Sequence, residues 1–271
     1  MNKLNVAVIQ TSPTFGNIRA NLHDAINRIP SGCDLAVLPE LFATGYQFLN
    51  RDEVMDLSEA AHPDLAPGPI TTRLSEVAHA SGTTLVAGLA ERAGERVYNS
   101  SILVRPDGTR ELYRKIHLFL DEKGLFDPGD LGFPVFQACG AKVGMMVCFD
   151  WVFPEAARSL ALGGAQIICH PSNLVLPWCP AAMITRCQEN RVFALTANRV
   201  GREARTGDTL EFIGLSQIVS PLGDRLGQVP EKIAGTATAT IQLAQCHKMI
   251  TPRNDLWADR RPDQYRLNKE E

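Results

Sequence analysis

The chain repeats one order of strand and helix signals in its two halves, and this repeat restricts the possible folds more than any other feature. Short apolar runs, typical of buried strands, alternate with segments whose apolar residues recur at helical spacing. In the first half, strands are predicted at 5–10, 33–40 and 83–92, helices at 18–29 and 70–81, and a hairpin at 97–115. In the second half, strands are predicted at 142–150, 165–173 and 194–201, helices at 153–164 and 180–193, and a hairpin at 212–230.

The two predicted hairpins resemble each other in sequence as well as in position. The segment "NSSILVRPDGTREL" turns over residues 106–108, and "GLSQIVSPLGDRLG" turns over residues 221–224. A doubled β-α-β-α-β-hairpin unit favours an α/β fold in which two sheets pack together with helices outside, a four-layer αββα sandwich. The alternative is that the two hairpins share only ordinary turn residues.

The segment from His247 to Glu271 differs from the rest of the chain, because it is charged, contains prolines and has no apolar period. We therefore predict one domain over residues 1–246 and a C-terminal arm over residues 247–271. Such a segment either frays or packs on another subunit. Trp257 and Tyr265 favour the second possibility.

Composition argues against several classes of function. The 271 residues carry 27 basic and 30 acidic side chains for a net charge of −3, with no basic stripe, so no nucleic-acid partner is expected. No segment approaches the roughly 18 apolar residues of a membrane span, and the N-terminus is too short in apolar length for a signal peptide. The seven cysteines show neither C-x-x-C pairs nor zinc spacing. We expect free thiols in a reducing cytoplasm, with no metal and no cofactor.

Cys148 occupies a position where chemistry often takes place. In "VGMMVCFDWVFPE" an apolar strand ends at the cysteine, and Pro154 and Glu155 are typical of the first turn of a helix. Ligands of open α/β sheets gather at such carboxyl ends of strands. The alternative is a buried thiol that only packs. Asp150 is expected to support this turn through backbone hydrogen bonds.

Glu40 and Lys115 lie at two other predicted strand ends. Together with a cysteine, these residue types suit one reaction, the attack of a thiol on a C=O or C≡N carbon. A carboxylate can take the thiol proton and later protonate the departing nitrogen. An ammonium and a backbone N–H can hold the negative charge that develops when the sulfur attacks a C=O or C≡N carbon. Glu122 lies seven residues after Lys115. A second carboxylate there would keep the lysine charged.

The segments "LPELFATGY", "YRKIHLF…FDPGD" and "VCFDWVFPEAARSLALGGAQIICHPSN" together resemble the nitrilase superfamily, the carbon–nitrogen hydrolases, in the order expected. The resemblance runs from Asn5 to about Ile241. It implies the αββα fold, a homodimer or higher homo-oligomer, and a Glu-Lys-Cys triad with a second glutamate. By this resemblance Glu40 is the general base and acid, Lys115 stabilises the tetrahedral intermediate and Cys148 is the nucleophile.

The resemblance also implies roles for residues around the triad. Glu122 matches the second glutamate, and the backbone N–H of Phe149 would complete the oxyanion site. Four further side chains are expected near the substrate. They are Tyr46, Trp151, Asn173 and Trp178. The alternatives are that Trp178 packs in the core or at an interface and that Tyr46 only caps its loop.

The residues after the cysteine most resemble those of one branch of this superfamily, the stand-alone amidases. Branches that hydrolyse nitriles resemble "CWE" and N-carbamoyl amino acid hydrolases resemble "CNDRRWPE", whereas this chain has "CFDWVFPE". It lacks the arginines that would match a substrate carboxylate. A small amide is therefore the expected substrate, with a nitrile or an N-carbamoyl compound as alternatives. Two other classes stay open, a binding protein that has lost its chemistry and a redox sensor that uses Cys148.

Overall fold

A computed structural model describes residues 3–266, and within this range two six-stranded sheets pack together. The strands are β1 (Lys3–Gln10), β2 (Leu35–Val37), β3 (Thr84–Ala93), β4 (Arg96–Val104), β5 (Arg110–Arg114), β6 (Val135–Ala138), β7 (Ala141–Met145), β8 (Ile167–Pro171), β9 (Phe193–Ala197), β10 (Val200–Glu203), β11 (Leu210–Ile213), β12 (Gln217–Val219), β13 (Arg225–Gln228), β14 (Gly235–Gln242), β15 (Met249–Thr251) and β16 (Asn254–Asp255). The first sheet has the order β14-β1-β2-β3-β4-β5 and the second β6-β7-β8-β9-β12-β13.

Six helices accompany the strands in the described range. They are α1 (Ile18–Asn27), α2 (Arg51–Leu57), α3 (Pro69–Ser81), α4 (Glu122–Leu125), α5 (Pro154–Leu162) and α6 (Cys179–Asn190). Their ends follow local sequence rules. For example, α3 begins with a proline and is capped at its C-terminus by Gly82, whose φ of 70° suits a residue without a Cβ. None of these helices is long and apolar enough to cross a bilayer.

The two sheets follow the same plan, which confirms the repeat predicted from the sequence. In each sheet three parallel strands (β1-β2-β3 and β7-β8-β9) continue into two antiparallel strands (β4-β5 and β12-β13). An antiparallel strand also closes the other edge of each sheet, β14 beside β1 and β6 beside β7. The observed hairpin β12–β13 is shorter than the hairpin predicted at 212–230, because β11 at the start of this range pairs with β10 instead.

Alternating side chains of β1 show how the four layers form. Val6 and Val8 face the second sheet and join a cluster with Met145 and Ile167, whereas Ala7 and Ile9 face away from it. The latter two pack with the apolar sides of α1 and α3, and α5 and α6 pack on the outer face of the second sheet. The period of two along a strand therefore assigns each residue to the layer between the sheets or to the layer beneath the helices.

Strand β14 was absent from the sequence prediction. Its sequence "GTATATIQ" alternates small and polar residues, and only Ala237 and Ile241 are buried. Such a pattern has little apolar character, so periodicity alone gives a weak signal. The strand forms because β1 offers it an unpaired edge, with Lys3 opposite Gln242.

The first part of the predicted arm forms the short β15–β16 pair, followed by Trp257. This indole packs against the chain's own core, and the guanidinium of Arg158 lies 5.0 Å from its ring centroid. The division at residue 246 and the contact of the arm with a partner subunit stay predictions. The last part of the predicted arm, residues 267–271, lies outside the described residues.

Candidate active site

Glu40 lies in the turn that follows β2, and the backbone there is held in an unusual conformation. The next residue, Leu41, has a φ of 48°, a left-handed value that costs a non-glycine residue about 1–2 kcal/mol. Gly88 of β3 passes directly beneath, because a Cβ at this glycine would lie 2.4 Å from the Glu40 Cα. The absence of a side chain on β3 thus lets the turn sit against the sheet and buries the Glu40 carboxylate completely.

Lys115 follows β5 and joins two carboxylates at the centre of the site. Its Nζ donates to Glu40 Oε1 and to Glu122 Oε1, each at 2.7 Å, and the ammonium is buried. Burial alone would lower the pKa of Lys115, but the negative charges of Glu122 and Glu40 outweigh it and raise the pKa above its usual value. The lysine is therefore a cation. Because an ammonium has three N–H donors, one remains for a substrate oxygen.

Glu122, the first residue of α4, has donors on both of its oxygens. Oε1 accepts from Lys115 and from the Tyr46 hydroxyl at 2.7 Å, and Oε2 accepts from the Phe119 N–H at 3.0 Å. Burial raises the pKa of Tyr46 well above its usual value, with the charge of Glu122 adding to the effect, so the phenol keeps its proton and donates. This arrangement holds Glu122 in place.

Glu40 differs from Glu122 in the way its two oxygens are occupied. Oε1 accepts from Lys115 and from Asn99 Nδ2, both at 2.7 Å. Oε2 is buried and has no hydrogen-bond partner. A buried carboxylate oxygen without a donor is a strong acceptor. Of the two glutamates, Glu40 is thus the one with an oxygen available to receive a proton.

Cys148 lies where β7 gives way to a 3₁₀ turn, Cys148–Val152, that leads into α5. Its φ of 41° is again a left-handed value. Such a backbone conformation is strained in a residue other than glycine, and residues of this kind cluster at functional turns. Asp150 supports the turn as expected, because Oδ2 accepts from the Val147 N–H at 2.8 Å and from the Tyr113 hydroxyl at 2.7 Å. The other oxygen, Oδ1, lies 2.7 Å from His117 Nδ1. The carboxylate therefore ties the cysteine turn to the segment around Lys115.

His170 of β8 holds the cysteine from the other side. Its Nε2 lies 2.9 Å from the Cys148 carbonyl oxygen, and since a carbonyl only accepts, this nitrogen carries the proton. Nδ1 accepts from the Thr196 hydroxyl at 3.2 Å. Burial lowers the pKa of His170 to about 4, so the ring is neutral at pH 7. It supplies a fixed donor and no charge.

The Cys148 thiol keeps its proton in the resting site. Burial raises its pKa well above the usual value, and the negative charge of Glu40 adds to this effect, while Lys115 and the backbone N–H of Asn173 oppose it. A thiol is a weak nucleophile until its proton is removed. The site therefore needs a base at the moment of attack.

A small cavity opens beside Cys148, and two of the four side chains expected near the substrate, Trp151 and Asn173, line it together with Phe149 of the expected oxyanion site. Phe149, Trp151 and Asn173 form its wall together with apolar residues, which are Phe119, Leu174, Val175 and Leu176. Both polar atoms of the Asn173 amide are buried without a partner. Trp178 is not among these lining residues. It precedes α6 and is 62% exposed.

Sequence reasoning did not identify Asn99, Tyr113 or His170. Each lies within a strand, where a polar residue has no turn or helix cap beside it to mark it. The available signal was the polar type at a buried strand position, in "VYNSSI" for Asn99 and in "IICHPSN" for His170. Within residues 3–266, no group of three or more His, Cys, Asp or Glu residues is arranged to hold a metal ion.

Comparison with known proteins decides the family. The family model described as carbon-nitrogen hydrolase matches residues 5–251. The chain belongs to the carbon-nitrogen hydrolase family. This membership agrees with the four-layer fold and makes the protein an enzyme that acts on carbon–nitrogen bonds.

Relatives of this hydrolase differ in the reactions for which they are named. A nitrilase of Pyrococcus abyssi is 44% identical over 265 residues, which cover 96% of this chain and 98% of the relative. An N-carbamoylputrescine amidase of Arabidopsis thaliana is 30% identical, covering 87% and 84% of the two chains. An amidase of Nesterenkonia sp. AN1, solved with acrylamide added to its active-site cysteine, superposes with a TM-score of 0.79 at 26% identity, covering 96% of this chain and 97% of its own. Nitriles, amides and N-carbamoyl compounds are therefore the substrate classes that these similarities allow.

Proposed function

We propose that this hydrolase cleaves the C–N bond of small amides and releases ammonia through a thioester on Cys148. The observation that carries this proposal is the unequal occupation of the two buried glutamates. Glu40 Oε2 has no partner, whereas both oxygens of Glu122 accept hydrogen bonds. Glu40 is thus the base, and Glu122 holds Lys115.

In the first half-reaction Glu40 Oε2 takes the proton from Cys148 Sγ as the sulfur attacks the amide carbon. The C=O bond becomes a C–O⁻ bond, and the third N–H of Lys115 and the backbone N–H of Phe149 hold this charge. Glu40 then gives its proton to the nitrogen, the C–N bond breaks, and ammonia leaves. The product is a thioester between the acyl group and Cys148.

In the second half-reaction a water molecule replaces the departed ammonia. Glu40 takes one of its protons while the oxygen attacks the thioester carbon, and Lys115 again holds the oxyanion. The C–S bond breaks, the thiolate regains the proton from Glu40, and a carboxylic acid is released. One base atom thus serves both half-reactions.

The cavity lining supports an uncharged acyl group. The residues that line it beside Cys148 are apolar apart from Asn173 and the cysteine itself, and they include no arginine or lysine. An N-carbamoyl amino acid would place a carboxylate against these apolar side chains, which costs free energy without a matching guanidinium. We therefore rank the amide above the carbamoyl analogue.

A nitrile is the second candidate, supported by the Pyrococcus abyssi relative that carries the name nitrilase. The same thiol can add to a C≡N carbon and give a thioimidate, with the proton passing through Glu40 to the nitrogen. One further water would then release ammonia and leave the same thioester.

The test is a comparison of kcat/KM on three matched compounds, an amide, its nitrile and its N-carbamoyl analogue. We expect the amide to be the best substrate. A tenfold preference, about 1.4 kcal/mol, for the nitrile would make the second candidate the function. The same preference for the carbamoyl compound would overturn the assignment to amides.

We further propose that the enzyme is a cytoplasmic homodimer. The seven unpaired cysteines, Cys148 among them, support a reducing compartment. The exposed Trp178 and Tyr265 support a contact between subunits, since large exposed apolar side chains often mark interfaces. On this view Trp178 packs on a partner instead of on substrate.

A further inference from the structure

We infer that Asn99 is a positioning residue that selects Oε2 of Glu40 as the base atom. This inference rests on the proposed function, in which Glu40 takes the thiol proton. Asn99 lies in β4 and is completely buried. Its amide contacts Glu40 and not the reacting sulfur, so it acts through the glutamate.

The two oxygens of a carboxylate are chemically equivalent until their surroundings distinguish them. Lys115 Nζ and Asn99 Nδ2 both donate to Glu40 Oε1 at 2.7 Å. An ionised carboxylate oxygen has about two lone-pair sites, so these two donors fill Oε1. Oε2 keeps both of its lone pairs, and it becomes the one oxygen that can accept a proton.

The orientation of the Asn99 amide follows from the same contact. If the amide were turned over, Oδ1 would face Glu40 Oε1, and two acceptors would oppose each other. The donor is also excluded from water, since Asn99 and Glu40 are both buried. Asn99 therefore presents a fixed N–H to one oxygen of the base.

The main chain of Asn99 connects the base to the oxyanion donor. Its carbonyl oxygen accepts from the Lys115 N–H at 2.8 Å. One residue thus fixes the side chain of Glu40 and the backbone of Lys115 relative to each other.

The position also retains an unfavourable feature that an apolar residue would remove. Asn99 Oδ1 is buried without a partner, and such an acceptor costs about 1–3 kcal/mol. A leucine has the same branched shape and no orphan atom. A purely structural role in β4 would favour the apolar residue, whereas a role toward Glu40 requires the amide.

The test uses Asn99→Leu, which removes the donor, and Asn99→Asp, which places a second carboxyl group against Glu40, where the two groups share a proton and Glu40 is no longer a free base. Ser100→Ala is the control, since Ser100 is buried in the same strand but donates to Glu91. We expect Asn99→Leu to keep its Tm and to lose about 10- to 100-fold in kcat/KM, the range for a hydrogen bond to a charged group. Asn99→Asp should lose more, and Ser100→Ala should leave kcat/KM unchanged.

A second measurement is independent of the physiological substrate. Iodoacetamide alkylation of Cys148 also needs the thiol proton removed, so both Asn99 variants should slow it, while alkylation of the half-buried Cys139 should not change. If the wild type hydrolysed no amide, nitrile or carbamoyl compound, the proposed function would fail, and this rate would still test Asn99. Alkylation of Cys148 at the wild-type rate in both variants would overturn the inference, as would unfolding of both variants.

Discussion

At the scale of single residues, two glutamates contact the same lysine but differ in how many of their oxygens accept hydrogen bonds. Both oxygens of Glu122 accept hydrogen bonds from fixed donors, whereas Oε2 of Glu40 accepts none. Burial raises the pKa of the Cys148 thiol and keeps it protonated at rest, so in the proposed mechanism the nucleophile forms only when Oε2 of Glu40 takes this proton. Lys115 keeps its charge because two carboxylates outweigh the effect of its burial on the pKa.

Replacement of Lys115 tests the oxyanion role. Lys115→Gln removes a charged donor from the developing oxyanion and should cost about 2.7–4 kcal/mol of transition-state stabilisation, seen as a fall in kcat at little changed KM. Lys123→Gln is the matched control, because Lys123 is exposed in α4 beside the site. A Lys115→Gln variant within tenfold of wild type would contradict the role.

His170 makes stability depend on pH in a defined direction. Its pKa is lowered by burial to about 4 in the folded chain, against an ordinary value of 6.5. The unfolded chain therefore binds a proton first, and the free energy of unfolding should fall as the pH decreases from about 6.5 to about 4. Over that range the titration of this histidine should lower the free energy of unfolding by about 3 kcal/mol.

The measurement is denaturant unfolding of wild type and His170→Gln at several pH values. The variant should be less stable at pH 7 and should show a weaker decrease with falling pH. His23→Gln, at an exposed position of α1, should keep the wild-type dependence. Parallel curves for wild type and His170→Gln would show that His170 does not titrate as described.

At the scale of elements, close approaches between backbones set the position of the catalytic turns. Gly88 lets the Glu40 turn lie on β3, and Gly129 lies against the residues that precede and include Lys115, where a Cβ would be 2.0 Å from the Arg114 oxygen. Cys148 is held by the junction of β7 with a 3₁₀ turn. The site is therefore assembled by strand ends that pack without intervening side chains.

Gly88→Ala tests this packing. Its Cβ would meet the Glu40 Cα, so the turn has to move, at a cost of about 1–3 kcal/mol in stability. We expect a lower Tm together with a fall in kcat/KM, because Glu40 moves relative to the sulfur. Gly124→Ala in α4 is the control, since a Cβ there meets no atom within 4 Å. Unchanged activity in Gly88→Ala would show that the turn tolerates displacement.

The elements that sequence reasoning predicted are those with a strong apolar period. The three parallel strands of each sheet, α1, α3, α5 and α6 all have one, and the predicted αββα sandwich is confirmed. Strand β14 and helix α2 were missed because their stability comes from a neighbouring edge and from local caps. In the site, Glu40, Lys115 and Glu122 meet as the residue types and the family resemblance suggested. Asn99 and His170 gave only one local signal, a polar residue at a buried strand position, because their partners lie far away in the sequence.

At the scale of the whole molecule, the two similar halves contribute different chemistry. In the proposed mechanism the first half, with the segment that follows it, supplies the base, the oxyanion donor and the second glutamate, and the second half supplies the nucleophile. The active site thus lies where the ends of the two sheets meet. It cannot form in either half alone, because Glu40 and Cys148 belong to different sheets.

Truncation of the C-terminal arm tests whether the arm stabilises a dimer. Deletion of residues 248–271 removes Trp257 and Tyr265, and we expect it to weaken a dimer that sedimentation detects at micromolar concentration. A shorter deletion of residues 262–271 keeps Trp257 on its own core and separates the loss of this packing from the loss of the arm end. A monomeric wild type at micromolar concentration would contradict the proposed dimer.

The most direct test of the account is detection of the acyl group on Cys148. Wild-type enzyme mixed rapidly with a short amide and quenched in acid should show, by intact mass and peptide mapping, an added acyl mass on Cys148, with ammonia released ahead of the carboxylic acid. Hydroxylamine should convert the same intermediate to a hydroxamate. Cys148→Ala should show neither adduct nor hydrolysis. Hydrolysis by Cys148→Ala at the wild-type rate would contradict the account.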